Sequence, residues 1–489
     1  MDVKTQVPAT YQGTKKRLRS PTFVLRVGLP FSERRALLIV GDTLLINAAV
    51  LAAMWLWAWV GTPLFSPDFV RSRWQWFPFL TIAWWVLAWL SDLYDVPTAA
   101  HRLGVARRIG VVVVGLVVCY LVVYFVSPRN ALPRLFILFF SAVALVGTVL
   151  WRWTYATLFR LPLLGRRVLI VGAGWAGRTL AQAILRQGPA NYQLIGFVDD
   201  DPQKRGATIA GLPVLGGSED LVASVSRYGV DEVVVAITHH LRGELFQALM
   251  DCQAMKIHVA RMPDLYEQLT RRVPVEHISE NWILDALNGS STLGYLEQAA
   301  RRLLDLSFGL VGLLGLGVVL PFVALAIRLN DRGPLFYTQV RSGQGGKPFR
   351  VIKFRTMCPD AEEEGHPRWA EENDARVTGV GRFLRKVRLD ELPQVINVLR
   401  GEMSIVGPRP ERPEFIVALE KQIPFYRTRL VVKPGLTGWA QIHYEYGNSV
   451  QDQLVKLQYD LYYIRHRSIW LDLYVIFWTI GVVLRGGGM

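Results

Sequence analysis

The sequence predicts an integral membrane chain of mixed class, α-helical spans joined to α/β domains. Four parts are expected: an N-terminal four-helix membrane bundle, a Rossmann-like parallel-sheet domain, a re-entrant broken helix, and a mixed α/β domain. Three observations predict them. Four apolar segments come first; a strand, glycine loop and helix follow; a second apolar stretch containing Pro321 then precedes a cation-rich region.

Composition agrees with a membrane protein. Of 489 residues 51% are hydrophobic, 16 are Trp and the mean hydropathy is +0.24, too apolar for an ordinary soluble enzyme. The length allows two or three domains. The formal charge is +15, and residues 1–35 carry eight Lys/Arg against Asp2 and Glu33. That excess beside an apolar stretch fits positive-inside anchoring, so no nucleic-acid partner is expected. Cys119, Cys252 and Cys358 have no metal or disulfide spacing, which fits a reducing compartment. The basic N-terminus leads into a span too long for a signal-peptide core, and is expected to stay attached.

Within 36–160 the spans are Ala36–Val60, Trp76–Leu90, Ile109–Val126 and Leu135–Phe159, each approaching the roughly 20 residues that cross a bilayer. Arg102, Arg107 and Arg108, then Arg160, Arg166 and Arg167, mark the cytoplasmic connections, whereas the 61–75 and 127–134 connections hold two arginines each. The N-terminus and everything after about residue 160 are therefore expected inside, at the cytoplasmic (inner) membrane. Asp42, within the first span, reads as a polar contact near the headgroups.

Residues 165–290 alternate strand and helix, which implies a parallel sheet covered by helices. Val168–Val171 is a buried strand, followed by Gly172, Gly174 and Gly177 and, about 20 residues on, Asp199. This is a dinucleotide fingerprint in the right context, either used or kept only for its tight turn. After Gly177 no tyrosine has lysine four residues later, which counts against short-chain redox chemistry. In 295–330 an apolar stretch runs from Leu303 to Leu329. A fifth crossing would put the rest of the chain outside, so Pro321 is read as the break of a helix that enters and leaves on one side. Residues 331–489 form a mixed domain that ends in Ile469–Leu484, too short to span and read as interfacial.

That last domain holds the chemistry. Lys353 and Arg355 alternate with apolar residues, so on a strand they share a face. Arg385 and Arg388 precede Asp390-Glu391, and Arg409 sits between Pro408 and Pro410. Adjacent residues on a helix point about 100° apart, so the two carboxylates are expected to do different jobs. The acidic pair set among cations points to phosphoryl chemistry, where Mg²⁺ commonly sits on one or two carboxylates plus substrate phosphates.

Residues from about 295 to 489 resemble the bacterial polyprenyl-phosphate glycosyl-1-phosphate transferases that start exopolysaccharide, capsule or O-antigen repeat units. The matching strings are Lys353–Met357, Leu389–Gln394, Gly401–Ser404, Gly407–Pro410 and Lys433–Trp439. The whole layout resembles the long form of that family. One departure is Leu320 before Pro321, where the family often has serine.

The resemblance implies transfer of a sugar-1-phosphate from a UDP-sugar to undecaprenyl phosphate, with release of UMP. Asp390 is the expected nucleophile, through a phosphosugar-aspartyl intermediate. Glu391 would help hold Mg²⁺ or activate the acceptor, and Lys353, Arg355, Arg385, Arg388 and Arg409 would bind phosphates. A homodimer is possible, and membrane lipids are implied partners. Two other readings are a membrane-anchored NAD-dependent nucleotide-sugar dehydratase or epimerase, and a non-catalytic nucleotide-sugar-sensing assembly protein.

Overall fold

The computed structural model describes residues 31–60, 65–94, 102–126, 134–158, 165–187, 192–237, 243–278, 294–330, 333–358, 376–444, 447 and 449–484. The basic segment before residue 31 lies outside them. Four helices open the chain: α1 (Phe31–Val60), α2 (Trp76–Leu90), α3 (Arg102–Val126) and α4 (Arg134–Leu158). They share a core that includes Leu38, Ile46, Trp84, Leu116 and Phe140. Among the described residues α1, α3, α4 and a later helix, Gly294–Asn330, are long and apolar enough to cross a membrane, whereas α2, with 15 residues, is a shorter apolar helix.

A charged pair lies inside this bundle. The Arg152 guanidinium reaches Asp42 at 2.6 Å and donates to the Leu93 carbonyl at 2.7 Å, and the Trp84 indole N–H donates to Asp42 at 3.2 Å. Asp42 and Arg152 are 0% and 1% exposed, so the expected polar contact of Asp42 takes the form of an ion pair sealed among helices. Removing one member strands the other without a counter-charge, at a cost of about 3–5 kcal/mol. Arg152→Leu is therefore expected to lower the thermal midpoint in detergent sharply, and the double variant Asp42→Leu/Arg152→Leu to recover much of the loss.

The next unit is a four-stranded parallel sheet in the order β2-β1-β3-β4, from β1 (Arg166–Val171), β2 (Tyr192–Val198), β3 (Glu232–Val235) and β4 (His258–Arg261). Val168–Val171 are at most 1% exposed, because helices cover both faces of such a sheet. Helix α5 (Trp175–Gln187) follows the glycine loop, and α6 (Leu221–Tyr228), α7 (Gly243–Ala254) and α8 (Met262–Thr270) complete the unit. A side chain at Gly177 would collide with the Gly172 carbonyl, so the turn itself requires this glycine.

Helix α9 (Gly294–Asn330) runs unbroken for 37 residues with Pro321 inside it. The expected break is not present in the secondary structure. Proline costs a helix about 3 kcal/mol, whereas burying Leu316, Val323 and Ile327 at 5%, 6% and 4% exposure returns about 1.5–3 kcal/mol each. Packing therefore outweighs the missing hydrogen bond. These three side chains share a core with Phe354, Leu384 and Val395 of the following domain.

That domain contains the antiparallel hairpin β5 (Phe336–Ser342) and β6 (Pro348–Phe354), helices α10 (Gly379–Lys386) and α11 (Val395–Arg400), and the parallel pair β7 (Ser404–Val406) and β8 (Gly435–Thr437). It ends with α12 (Val450–His466) and α13 (Ile469–Leu484). Helices α9 and α11 pack closely at Gly312, where a Cβ would lie 2.7 Å from Val395. At the start of α9, Arg302 donates to the Val398 and Leu399 carbonyls at 2.9 and 2.7 Å, and Asp305 accepts from the Ser404 hydroxyl and the Ile405 N–H, both at 2.8 Å.

The bundle is joined to α13. Tyr474 donates its hydroxyl to Asp92, Arg271 pairs with Asp92 at 2.9 Å, and the Trp478 indole donates to the Leu90 carbonyl at 3.0 Å. Trp89 meets Trp470 and Tyr474 edge-on, with centroids 5.8 and 6.0 Å away.

Candidate active site

Three pieces of chain converge on the acidic pair. Strand β6 supplies Lys353, opposite Tyr337 in the hairpin. A six-residue 3₁₀ helix, Leu389–Gln394, carries Asp390 and Glu391, and the chain enters it through Arg388 at φ +60°. This is tighter than the α-helical start expected, so the two side chains diverge by about 120°. Leu389 and Leu392 pack into the core around Val395 and Phe354, which fixes the orientation of the turn. The third piece is the loop after β7, with Arg409 between two prolines.

Glu391 is held by two cations. Lys353 Nζ lies 2.9 Å from Oε1; Arg409 reaches Oε1 at 2.6 Å and Oε2 at 3.3 Å. Burial alone would raise the Glu391 pKa, but Arg409 and Lys353 overcome it and hold the carboxyl well below its ordinary range. Asp390, 8% exposed, makes no ion pair among the described residues. Burial first, and then the neighbouring Glu391 charge, push its carboxyl above the ordinary range, against Lys353, Arg409 and Arg385. Burial likewise lowers the Lys353 ammonium, with Glu391 opposing.

The direction of each shift sets a pH prediction. With Asp390 in the role expected of it, a carboxylate nucleophile that works only when ionised, activity is expected to fall with acidification through an Asp390 pKa lying above the usual aspartate value. Glu391→Gln removes a charge that raises that pKa, and Lys353→Met removes one that lowers it. The acid limb of the kcat/KM profile is thus expected to move to lower pH in the first variant and to higher pH in the second, whatever happens to its height.

The expected phosphate-binding residues separate in position. Arg385 donates to the Thr356 hydroxyl at 3.0 Å and acts on Asp390 through its charge. Arg355 is 6% exposed and lies against Gly333, so it does not share an open face with Lys353. Pro321 lies one residue past Leu320, a member of the core beneath the 3₁₀ helix. For Mg²⁺, no group of three metal-binding side chains exists among the described residues. Both Glu391 oxygens are occupied by cations, which leaves Asp390 to fit an ion drawing its remaining ligands from phosphates and water.

The sequence profile of the bacterial sugar transferases matches residues 296–486, the part that carries this site. A "UDP-glucose:undecaprenyl-phosphate glucose-1-phosphate transferase" from Escherichia coli (strain K12) is 32% identical over 317 residues, covering 64% of this chain and 67% of that protein. An "uncharacterized sugar transferase" from Bacillus subtilis (strain 168) is 38% identical over 190 residues, 39% of this chain and 89% of its own. The chain belongs to the bacterial sugar transferases.

A further relative of this sugar transferase is the "UDP-N-acetylgalactosamine-undecaprenyl-phosphate N-acetylgalactosaminephosphotransferase" of Aeromonas hydrophila, 38% identical over 248 residues. The alignment covers 51% of this chain and spans just over half, 57%, of that protein. A second profile, described as a CoA-binding domain, matches residues 89–263.

The glycine loop of the sugar transferase lies apart from the acidic pair in sequence and has its own geometry. Asp199 accepts from the Ala173 N–H at 2.7 Å and the Asp201 N–H at 2.9 Å, and pairs with Lys204 at 3.2 Å. The carboxylate that would meet a ribose is tied to the backbone of the Gly172–Gly177 loop. Sequence reasoning missed Gln441, whose side-chain oxygen accepts from Arg409 at 3.3 Å. It lies two residues beyond the matched string ending at Trp439, which was the signal available.

Proposed function

We propose that this sugar transferase moves a sugar-1-phosphate from a UDP-sugar to undecaprenyl phosphate, releasing UMP, as the first step of a bacterial polysaccharide repeat unit. The observation that carries the reading is the division of the acidic pair. Glu391 is ionised and clamped, while Asp390 has no ion pair among the described residues yet lies within the field of three cations. An Asp390 oxygen attacks the sugar-bearing phosphorus, and the bond from that phosphorus to the bridging oxygen breaks. UMP leaves with that oxygen. An oxygen of the lipid phosphate then attacks the same phosphorus and frees Asp390.

Both reactants are anionic, so Lys353, Arg385, Arg388 and Arg409 serve to offset repulsion, and Arg355 supports them from beneath. Mg²⁺, held by Asp390 and the donor diphosphate, would supply further charge neutralisation. The names of the E. coli and A. hydrophila relatives support a lipid-phosphate acceptor and a UDP-sugar donor.

The site belongs at the cytoplasmic headgroup plane, with the unbroken α9 lying along that side instead of crossing the membrane. Two contacts support this. Arg302 binds the end of α11, and Ile327 packs with Phe354 and Leu384 of the same domain. The 25 residues between them span roughly 37 Å of straight helix, more than a hydrocarbon core. A full crossing would therefore divide one domain between two sides. Leu303, Leu310, Leu314, Val318, Phe322, Leu325 and Leu329 are all exposed on α9 and form the surface offered to lipid.

The test is UMP release from a panel of UDP-sugars with undecaprenyl phosphate and Mg²⁺. Release that requires the lipid phosphate beyond a first turnover supports the reading. Its absence with every donor overturns it, and a reporter fused after residue 489 found outside the cytoplasm overturns the orientation.

A further inference from the structure

The loop that presents Arg409 is held along its whole length. The carbonyl of Pro408 accepts from the Gly435 N–H at 2.9 Å, and that of Glu411 from the Ser342 N–H at 2.9 Å. Between them, the Arg409 carbonyl accepts from Arg429 and the Pro410 carbonyl from Arg341, both at 3.2 Å. Four consecutive carbonyls are thus bonded, and the two prolines fix φ on either side of Arg409.

Arg429 is the buried part of this support. It is 4% exposed, pairs with Asp460 of α12 at 2.9 Å and donates to the Tyr426 hydroxyl at 2.5 Å. Asp460 is 1% exposed. A charged pair so deep is costly unless its geometry is good and its remaining donors are used. Here the guanidinium donates to a phenol and one backbone oxygen while facing the Asp460 carboxylate and, at 4.0 Å, that of Glu411 as ion-pair partners, a fork that a lysine cannot reproduce. Arg429 is absent from the recess lined by Lys353, Glu391 and Arg409, whereas Arg341 does line it.

We propose that Arg429, set by Asp460, is a positioning residue that fixes the Arg409 peptide so that the Arg409 guanidinium is aimed at the reacting phosphates. It acts from behind the loop and touches no substrate. This rests on the function proposed above. Preorganised charge loses much of its effect when displaced by about 1 Å, so the cost falls on turnover more than on folding.

The test is Arg429→Lys, which keeps the charge facing Asp460 but loses the fork. In the full-length protein, kcat/KM for UMP release is expected to fall between about 10- and 100-fold, with the thermal midpoint little changed. On an Arg409→Ala background the same substitution is expected to change the rate by less than about twofold, because its route of action has gone. Hydrogen exchange across residues 407–412, measured without substrate, is expected to quicken in Arg429→Lys. Equal losses on both backgrounds, or unchanged exchange and rate, overturn the proposal. A wild-type protein that releases no UMP defeats the proposed function, and the exchange measurement then decides the positioning role alone.

Discussion

Asp390→Asn is expected to lower turnover by roughly 10³-fold or more, the scale on which enzymes lose rate when a covalent nucleophile is removed. The amide has nearly the same shape but cannot attack phosphorus. No labelled sugar-phosphate adduct should accumulate on the variant when donor is supplied without acceptor, whereas the wild type should retain one. Stability is expected to move the other way. Asp390 is buried beside Glu391 and its pKa is raised in the folded state. A raised carboxyl favours folding only while protonated, below its ordinary pKa, and that advantage is lost as pH rises through the folded value. At neutral pH its charge therefore opposes folding, and the neutral amide relieves that. The variant should melt at or above the wild-type temperature, and substantial turnover by it would remove Asp390 from the nucleophile's role.

The second large effect is expected from Arg409. Losing one preorganised donor to developing charge costs about 10²–10³-fold in kcat, and Arg409→Ala also strips two contacts from Glu391. That leaves a buried carboxylate with Lys353 as its remaining cation of the two. The variant is thus expected to combine a fall in kcat of that order with an acid limb displaced to higher pH, since Arg409 lowers the Asp390 pKa. The double variant Arg409→Ala/Glu391→Gln separates these consequences. It is expected to bring the limb back down while kcat stays low. Recovery of kcat would show that Arg409 serves only to neutralise Glu391.

Much of this site was legible because its residues occur in short, ordered strings. Lys353, Asp390, Glu391 and Arg409 were each singled out, and the structure brings them together. What the strings could not show was who pairs with whom. The string implies different jobs for Asp390 and Glu391, but only the placement of Arg409 and Lys353 makes one a clamped anion and the other a raised acid. Arg429 and Asp460 had no local signal, since nothing in either segment marks a partner 31 residues away. The Asp42–Arg152 pair, 110 residues apart, was hidden for the same reason. Pro321 misled in the opposite direction. A proline reads as a break from local rules, but the core around Leu316, Val323 and Ile327 decides the helix.

The seam between the membrane bundle and α13 bears on how far this protein can be shortened. Trp89 meets Trp470 and Tyr474 edge-on, and Asp92 and the Leu90 carbonyl accept from the Tyr474 hydroxyl and the Trp478 indole. A stand-alone catalytic half beginning at Gly294 would lose these partners, uncovering Tyr474 and Trp478 beside the already exposed Trp470 and leaving a phenol unmatched. Such a fragment would be sticky in water and would want detergent, or polar replacements at those three positions, before its chemistry could be studied in isolation.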